Sequence, residues 1–181
     1  MKMTPKIVIL GSLLVWAASI SIMVIFPSIN IKNKPSENWR PMTDIEKEGL
    51  EVYVNNGCSY CHSLYIRRYD WGLGASRIAR MGDYYDAEPA ILGTERTGPD
   101  LSQAGGEHPD DWHLAHFINP RYTSPMSLMP PWEFLGKDEI EKLTAYVQSL
   151  GGKLADERMA RQKKYKKPAI KAYEAGPDSN I

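Results

Sequence analysis

The 181-residue sequence contains two cysteines, and both lie in one pentapeptide, Cys58-Ser59-Tyr60-Cys61-His62. A pair three positions apart cannot staple a distant loop, so it reads as a cofactor or redox site. Cys-x-x-Cys-His is the attachment pattern of c-type haem. Thiols at that spacing can add to the two vinyl groups on one side of a porphyrin. The next residue is then held under the iron, where a neutral imidazole nitrogen serves as ligand. Two other chemistries use such a pair. A thioredoxin-like dithiol needs a preceding strand and a βαβ context, whereas a helix is predicted here. A zinc site needs a second Cys or His pair at ligand spacing, and the sequence offers none. The expectation is one covalently bound haem c, attached at Cys58 and Cys61, with His62 on the iron.

A haem iron also needs its opposite face filled or left vacant. Methionine is one option and raises the potential relative to two histidines. The candidates are Met81, Met126 and Met129, with His113 or His116 as the bis-His alternative. Met129 is favoured because Leu128-Met129-Pro130-Pro131-Trp132 places the thioether in a loop stiffened by two prolines. A ligating His usually donates its other ring N–H to a fixed acceptor. The Pro99 carbonyl in Thr97-Gly98-Pro99-Asp100-Leu101 is the candidate. Arg67, Arg68 and Arg121 are candidates for pairing with haem carboxylates, with a solvated surface role as the plain alternative. Trp112 and Trp132 would supply the large apolar contacts that burial of the ring requires.

These residues need elements to position them. Thr43-Asp44-Ile45-Glu46 is a capping-box pattern. It opens a helix with Ile45, Gly49, Val52 and Tyr53 at helical spacing, stopped by Asn55-Asn56-Gly57. That helix delivers the chain into Cys58. Residues 63–98 are irregular, and 97–107 form a Gly-rich loop. A short helix is predicted over Asp110–Ile118, opened by Asp110-Asp111 and ended by Asn119-Pro120. A Pro- and Met-rich loop covers 121–136. The clearest helix runs from Lys137 or Asp138 to Leu150, ended by Gly151-Gly152. No strand pattern or repeat is evident, so the fold class is all-α.

Ile7–Phe26 is an uncharged, mostly apolar run of 20 residues. As a helix it spans roughly 30 Å, the thickness of a bilayer's hydrocarbon core. A cleaved signal peptide would have a shorter apolar region. Lys2 and Lys6 precede the run, so the positive-inside rule puts the N-terminus in the cytoplasm and the rest of the chain across the membrane. The organisation expected is a single-pass anchor over 1–27, a linker over 28–43, a haem domain over 44–152, and a basic extension over 153–181 that extends from the surface. Residues 42–150 carry nine Lys/Arg and seventeen Asp/Glu, and residues 151–181 carry eight and four. The only basic cluster is short and terminal, which excludes a nucleic-acid binder.

The order of helix, Cys-x-x-Cys-His, Gly-Pro-x-Leu, Met-Pro loop and final helix resembles the class I cytochrome c fold. In that fold the first and last helices cross, here with Gly49 and Tyr53 facing Tyr146 and Leu150. A closer resemblance rests on Gly57–Ser63, Arg96–Leu101, Gly105-Gly106, Asp110–His116, Asn119-Pro120-Arg121 and Met129-Pro130. In this order they are similar to the mono-haem subunit II of cbb3-type cytochrome c oxidases, over about residues 41–136. That resemblance implies electron transfer toward a haem-copper oxidase catalytic subunit, alongside other c-type cytochromes. The chain itself would carry out no substrate chemistry. It also implies a bacterial inner membrane, with the haem domain on the periplasmic side. A free-standing membrane-anchored electron shuttle and a haem-based ligand sensor are the alternatives.

Overall fold

The computed structural model describes residues 4–31, 34–73, 77–87, 89, 91–93 and 95–175. Among the described residues every regular element is helical. The chain divides into two compact units, Met1–Lys34 and Pro35–Ile181. Lys2 and residues 176–181 of the expected extension lie outside the described residues.

In the first unit, α1 (Pro5–Ile20), a π-helical turn (Ser21–Ile25) and α2 (Phe26–Asn30) run as one 26-residue helix, Pro5–Asn30, long and apolar enough to cross a membrane. The helix was expected to stop at Pro27, and this is corrected, because it continues to Asn30. Pro27 has no N–H to donate and its ring crowds the carbonyl of Met23. The wider π turn just upstream absorbs both effects. Asn30 Nδ2 then caps the end by donating to the Phe26 carbonyl at 2.8 Å.

The second unit is built around α3 (Asp44–Asn55), α4 (Asp110–Ile118), α5 (Gly136–Ser149) and α6 (Lys153–Ala175). The capping box forms at the start of α3, where Thr43 N–H donates to Glu46 Oε2 at 2.8 Å. α3 and α5 cross at Gly49. A Cβ there would lie 2.0 Å from the Lys142 carbonyl oxygen, so only glycine permits this approach. The core forms beside the crossing from Leu50 and Tyr53 of α3, Ile140, Leu143, Tyr146 and Val147 of α5, Phe117 of α4, and Leu64. The Tyr53 and Tyr146 rings sit 5.2 Å apart, in the range where tilted aromatic pairs add to burial. α4 has Pro109 at its N-cap, so Asp110 and Asp111 occupy its first turn rather than capping it. Asp110 Oδ1 accepts from Gln148 Nε2 of α5 at 2.7 Å, and Gln148 Oε1 accepts from Gly106 N–H at 2.8 Å.

Two expectations about the flanks need correction. Residues 36–43 are not a free linker. Ser36 donates to Asp83, Asn38 Nδ2 to the Gly151 carbonyl at 2.7 Å, and Trp39 Nε1 to Asp86 at 2.7 Å. Arg40 forks onto both oxygens of Glu46, at 2.7 and 2.8 Å, and reaches Asp156 at 2.6 Å. The segment is a strap tying α3 to α6. Nor does α6 simply leave the surface. Ala155 is fully buried, Arg158 donates to the Gly105 and Gln103 carbonyls at 2.8 and 2.7 Å, and Gln162 donates to the Gly106 carbonyl at 2.8 Å. The glycine pair makes this possible. A Cβ on Gly105 would lie 2.2 Å from the Gln148 carbonyl oxygen, and one on Gly106 would lie 2.6 Å from Arg158 Cβ.

Candidate functional site: a histidine seat for haem

Helix α3 ends at Asn55, and Gly57, in the left-handed conformation at φ 68°, turns the chain into a 3-10 turn at Cys58–Tyr60. Cys58 is half-buried beside the core and Cys61 is exposed. Burial pushes the Cys58 thiol up to about 11. That is opposite to the shift that activates a catalytic dithiol.

His62 is buried, and its Nδ1 lies 2.8 Å from the Pro99 carbonyl oxygen. A carbonyl only accepts, so Nδ1 carries the proton and Nε2 keeps its lone pair. Burial holds the imidazole below its ordinary pKa against the opposing pull of the Pro99 carbonyl and Asp100, which keeps the ring neutral at pH 7. Gly98 lies directly against the ring: a Cβ there would be 2.3 Å from His62 Cε1. This is a neutral, oriented imidazole, the form in which histidine ligates a metal.

The loop carrying Pro99 is zipped onto the Cys-x-x-Cys-His segment. Gly98 N–H donates to the Cys61 carbonyl at 2.9 Å and Leu101 N–H to the Ser63 carbonyl at 2.8 Å. Ser63 Oγ donates to Asp100 Oδ2 at 2.6 Å, and Asp100 also receives the Ser102 hydroxyl. Arg96 completes the brace, donating to Ser63 Oγ at 2.6 Å, the Tyr65 carbonyl at 2.7 Å and Asp70 at 3.1 Å. Sequence reading missed the role of Arg96. Its only trace is an arginine just ahead of Gly98-Pro99, and no spacing rule says which carbonyls it will meet. Arg67 turns to Asp70 at 2.8 Å and is largely exposed, and Arg68 is exposed. Arg67 and Arg96 together hold the Asp70 carboxyl well below the usual range.

The three methionine candidates differ in burial. Met129 is half-buried against the core, whereas Met126 is 92% exposed and Met81 is 67% exposed. Arg121 is exposed, yet its guanidinium is tied to its own loop. It donates to the Ser127 carbonyl at 3.0 Å and the Met129 carbonyl at 3.1 Å, and its Nε reaches Asn119 at 3.1 Å. Trp132 N–H donates to the Phe117 carbonyl at 2.9 Å, joining this loop to α4. On α4, His116 Nδ1 meets Thr123 Oγ1 at 2.6 Å, and its ring stacks on Trp112, which stacks on His108. Burial first, then the nearby His62 and His108, lower the pKa of His116.

The residues fit a haem. His62 keeps a bare Nε2 directly after the Cys58 and Cys61 thiols, the donor set a covalently attached haem would use. Trp132 Nε1 and His113 Nε2 are two of four buried side-chain atoms with no hydrogen-bond partner among the described residues, the others being Tyr53 Oη and Arg77 Nε. Among the described residues no cluster of three or more His, Cys, Asp or Glu could hold a bare metal ion.

Fold and site together define an all-helical domain with a buried, oriented histidine directly after a Cys-x-x-Cys pair, and the described residues also include one membrane-type helix. The family described as "Cytochrome C oxidase, mono-heme subunit/FixO" matches residues 1–174, and the chain belongs to that family. No curated protein matches it.

Proposed function

We propose that this chain is the electron-transfer subunit of a cbb3-like terminal oxidase. In this reading the haem is attached at Cys58 and Cys61 and ligated by His62 and Met129, and electrons pass to the haem-copper catalytic subunit. Haem supplies a one-electron iron couple. The chain supplies the geometry. Pro99 fixes the proximal ring, Gly98 lets the loop close on it, and Arg121 holds the Met129 loop by its carbonyls. Trp132, whose buried Nε1 has no partner among the described residues, would donate to the cofactor from the same loop. The apolar anchor keeps the domain at the membrane, on the periplasmic side of the bacterial inner membrane by the positive-inside rule. The observation that carries the reading is the neutral His62 imidazole, held by Pro99 immediately after the Cys-x-x-Cys pair.

The test is purification from membranes in mild detergent. We expect haem to stay with the 20.5 kDa chain on a denaturing gel. We also expect a haem-copper subunit and further c-type cytochromes to co-purify. Haem extracted by acidified acetone overturns covalent attachment. A chain that migrates alone is a free shuttle rather than a subunit, and a reduced spectrum that shifts promptly with carbon monoxide indicates an open ligand-sensing site.

A further inference from the structure

The family match spans residues 1–174, nearly all of α6 included, and its description names no role for that helix. This helix has two different halves. Up to Gln162 it is docked through Ala155, Arg158 and Gln162. After Gln162 the side chains of Lys163, Lys164, Tyr165 and Lys166 are exposed, as is Ile170. From Arg158 to Lys171 the sequence carries seven Lys/Arg and no acid. A basic helix with exposed Tyr and Ile beside its lysines has the make-up of a membrane-surface element, in which cations meet anionic headgroups and amphipathic side chains sit at the interface.

The base of α6 is pinned to the strap that follows the anchor. Lys153 N–H donates to the Asn38 carbonyl at 2.9 Å, Leu154 N–H to Asn38 Oδ1 at 2.9 Å, and Lys153 Nζ to the Glu37 carbonyl at 3.1 Å. The anchor helix ends at Asn30. Whatever angle the two units take, chain length alone keeps Glu37 within about 25 Å of that end. A helix such as α6, Lys153–Ala175, is roughly 35 Å long. A lysine-rich rod rooted that close to a bilayer lies within reach of its headgroups.

We propose that the half of α6 beyond Gln162 is a membrane-surface arm. Lys163, Lys164 and Lys166 engage anionic phospholipid headgroups of the bilayer crossed by the chain's own anchor, and Tyr165 and Ile170 settle at the interface. The contact gives the haem domain a second attachment to the membrane. It depends on the anchor and the charge pattern and is independent of the haem reading.

The experiment is amide hydrogen exchange on the full-length protein in nanodiscs, one copy per disc. The discs contain phosphatidylcholine alone, or with about a quarter phosphatidylglycerol. Exchange over 163–175 slows about tenfold in the anionic discs, and salt at about 0.5 M removes the effect. The triple variant Lys163→Glu, Lys164→Glu, Lys166→Glu loses the protection while Ala155 and Arg158 amides exchange as before, showing that the docked half is intact. Equal exchange in both discs overturns the proposal. So does protection that appears only with two copies per disc, which would make the acidic body of a second chain the occupant.

Discussion

The His62 ring is held between two neighbouring residues of one loop: Pro99 accepts from its Nδ1 at 2.8 Å, while the bare Cα of Gly98 leaves room for its Cε1. Orientation and clearance therefore come from a single Gly-Pro step. Gly98→Ala keeps the Pro99 carbonyl in sequence but drives a methyl into the imidazole. Overpacking of this kind costs about 1–3 kcal/mol. In a domain of this size that is a fall in Tm of roughly 5–15 °C. With His62 as the proposed iron ligand, displacing the ring would also lower the midpoint potential. Calorimetry and the midpoint potential of the purified variant check this, and an unchanged Tm would refute the close contact.

Arg40 is the knot between the strap, α3 and α6, with Glu46 and Asp156 as partners and its own side chain only 18% exposed. Burial pushes the Glu46 carboxyl up, but hydrogen bonds from Arg40 and Thr43 outweigh it and leave the pKa below the ordinary value. A depressed carboxyl pKa gives stability that is complete above the unfolded value, near 4.3, and is lost as pH falls through the folded one. Arg40→Ala strands the buried Glu46 charge, at a cost of about 3 kcal/mol at pH 7. The difference in Tm between Arg40→Ala and the parent should shrink once the pH is taken below about 4. A constant difference down to the lowest accessible pH would show that Arg40 acts by packing alone.

Local signals made much of this readable from sequence. The capping box at Thr43 and Glu46, the stop at Asn55–Gly57 and the Asn119-Pro120 terminator each act within one helical turn, and the structure places α3 and α4 accordingly. The crossing at Gly49 was expected from the resemblance to the class I cytochrome c fold, in which the first and last helices cross. The strap and the docked half of α6 were not. Arg40 meets Asp156 across 116 positions of sequence, and Gly105-Gly106 looked like any loop until Arg158 and Ala155 lay against it. At the site, residue type and spacing offered Cys58, Cys61, His62, Pro99 and Met129 as candidates, and of these the structure sets the Pro99 carbonyl against His62 Nδ1. Type and spacing could not show that Arg67 turns to Asp70, or that Arg96 rather than Arg67 braces Ser63, because a long arginine side chain chooses among partners only after the loops are placed.

His113 should make the domain acid-sensitive in a window separate from that of Glu46. Burial, reinforced by His108 and His116 and opposed by Asp110, lowers its pKa to about 4. The unfolded chain binds a proton there below about 6.5 and the folded one does not, so stability rises with pH between about 4 and 6.5 and falls as acid is added. With His113 4% exposed, the full effect approaches about 3 kcal/mol. His113→Leu removes the titration and the unpaired Nε2 together. Its Tm at pH 7 should lie close to the parent's, and its loss of Tm on going to pH 4.5 should be the smaller of the two. Parallel pH profiles for the two proteins would mean that His113 titrates normally.

Arg121 addresses the loop rather than the ring. Two of its hydrogen bonds end on backbone carbonyls, those of Ser127 and Met129 itself, so the guanidinium fixes the path of the chain at the half-buried methionine. Bonds to a charged donor contribute about 1.5–3 kcal/mol each when buried and less at an exposed site such as this one. Arg121→Ala should therefore lower overall stability by only about 1 kcal/mol. The functional effect should be larger than that figure suggests. Under the proposed Met129 ligation, a loosened loop would weaken the sulfur-to-iron absorption band and lower the midpoint potential. Arg121→Lys offers a compact ammonium in place of the planar fork and should recover only part of the band. Met129→Ala removes the band outright, and Met126→Ala leaves it intact. If Arg121→Ala keeps the full band and potential while losing the expected stability, the loop holds its methionine without the arginine.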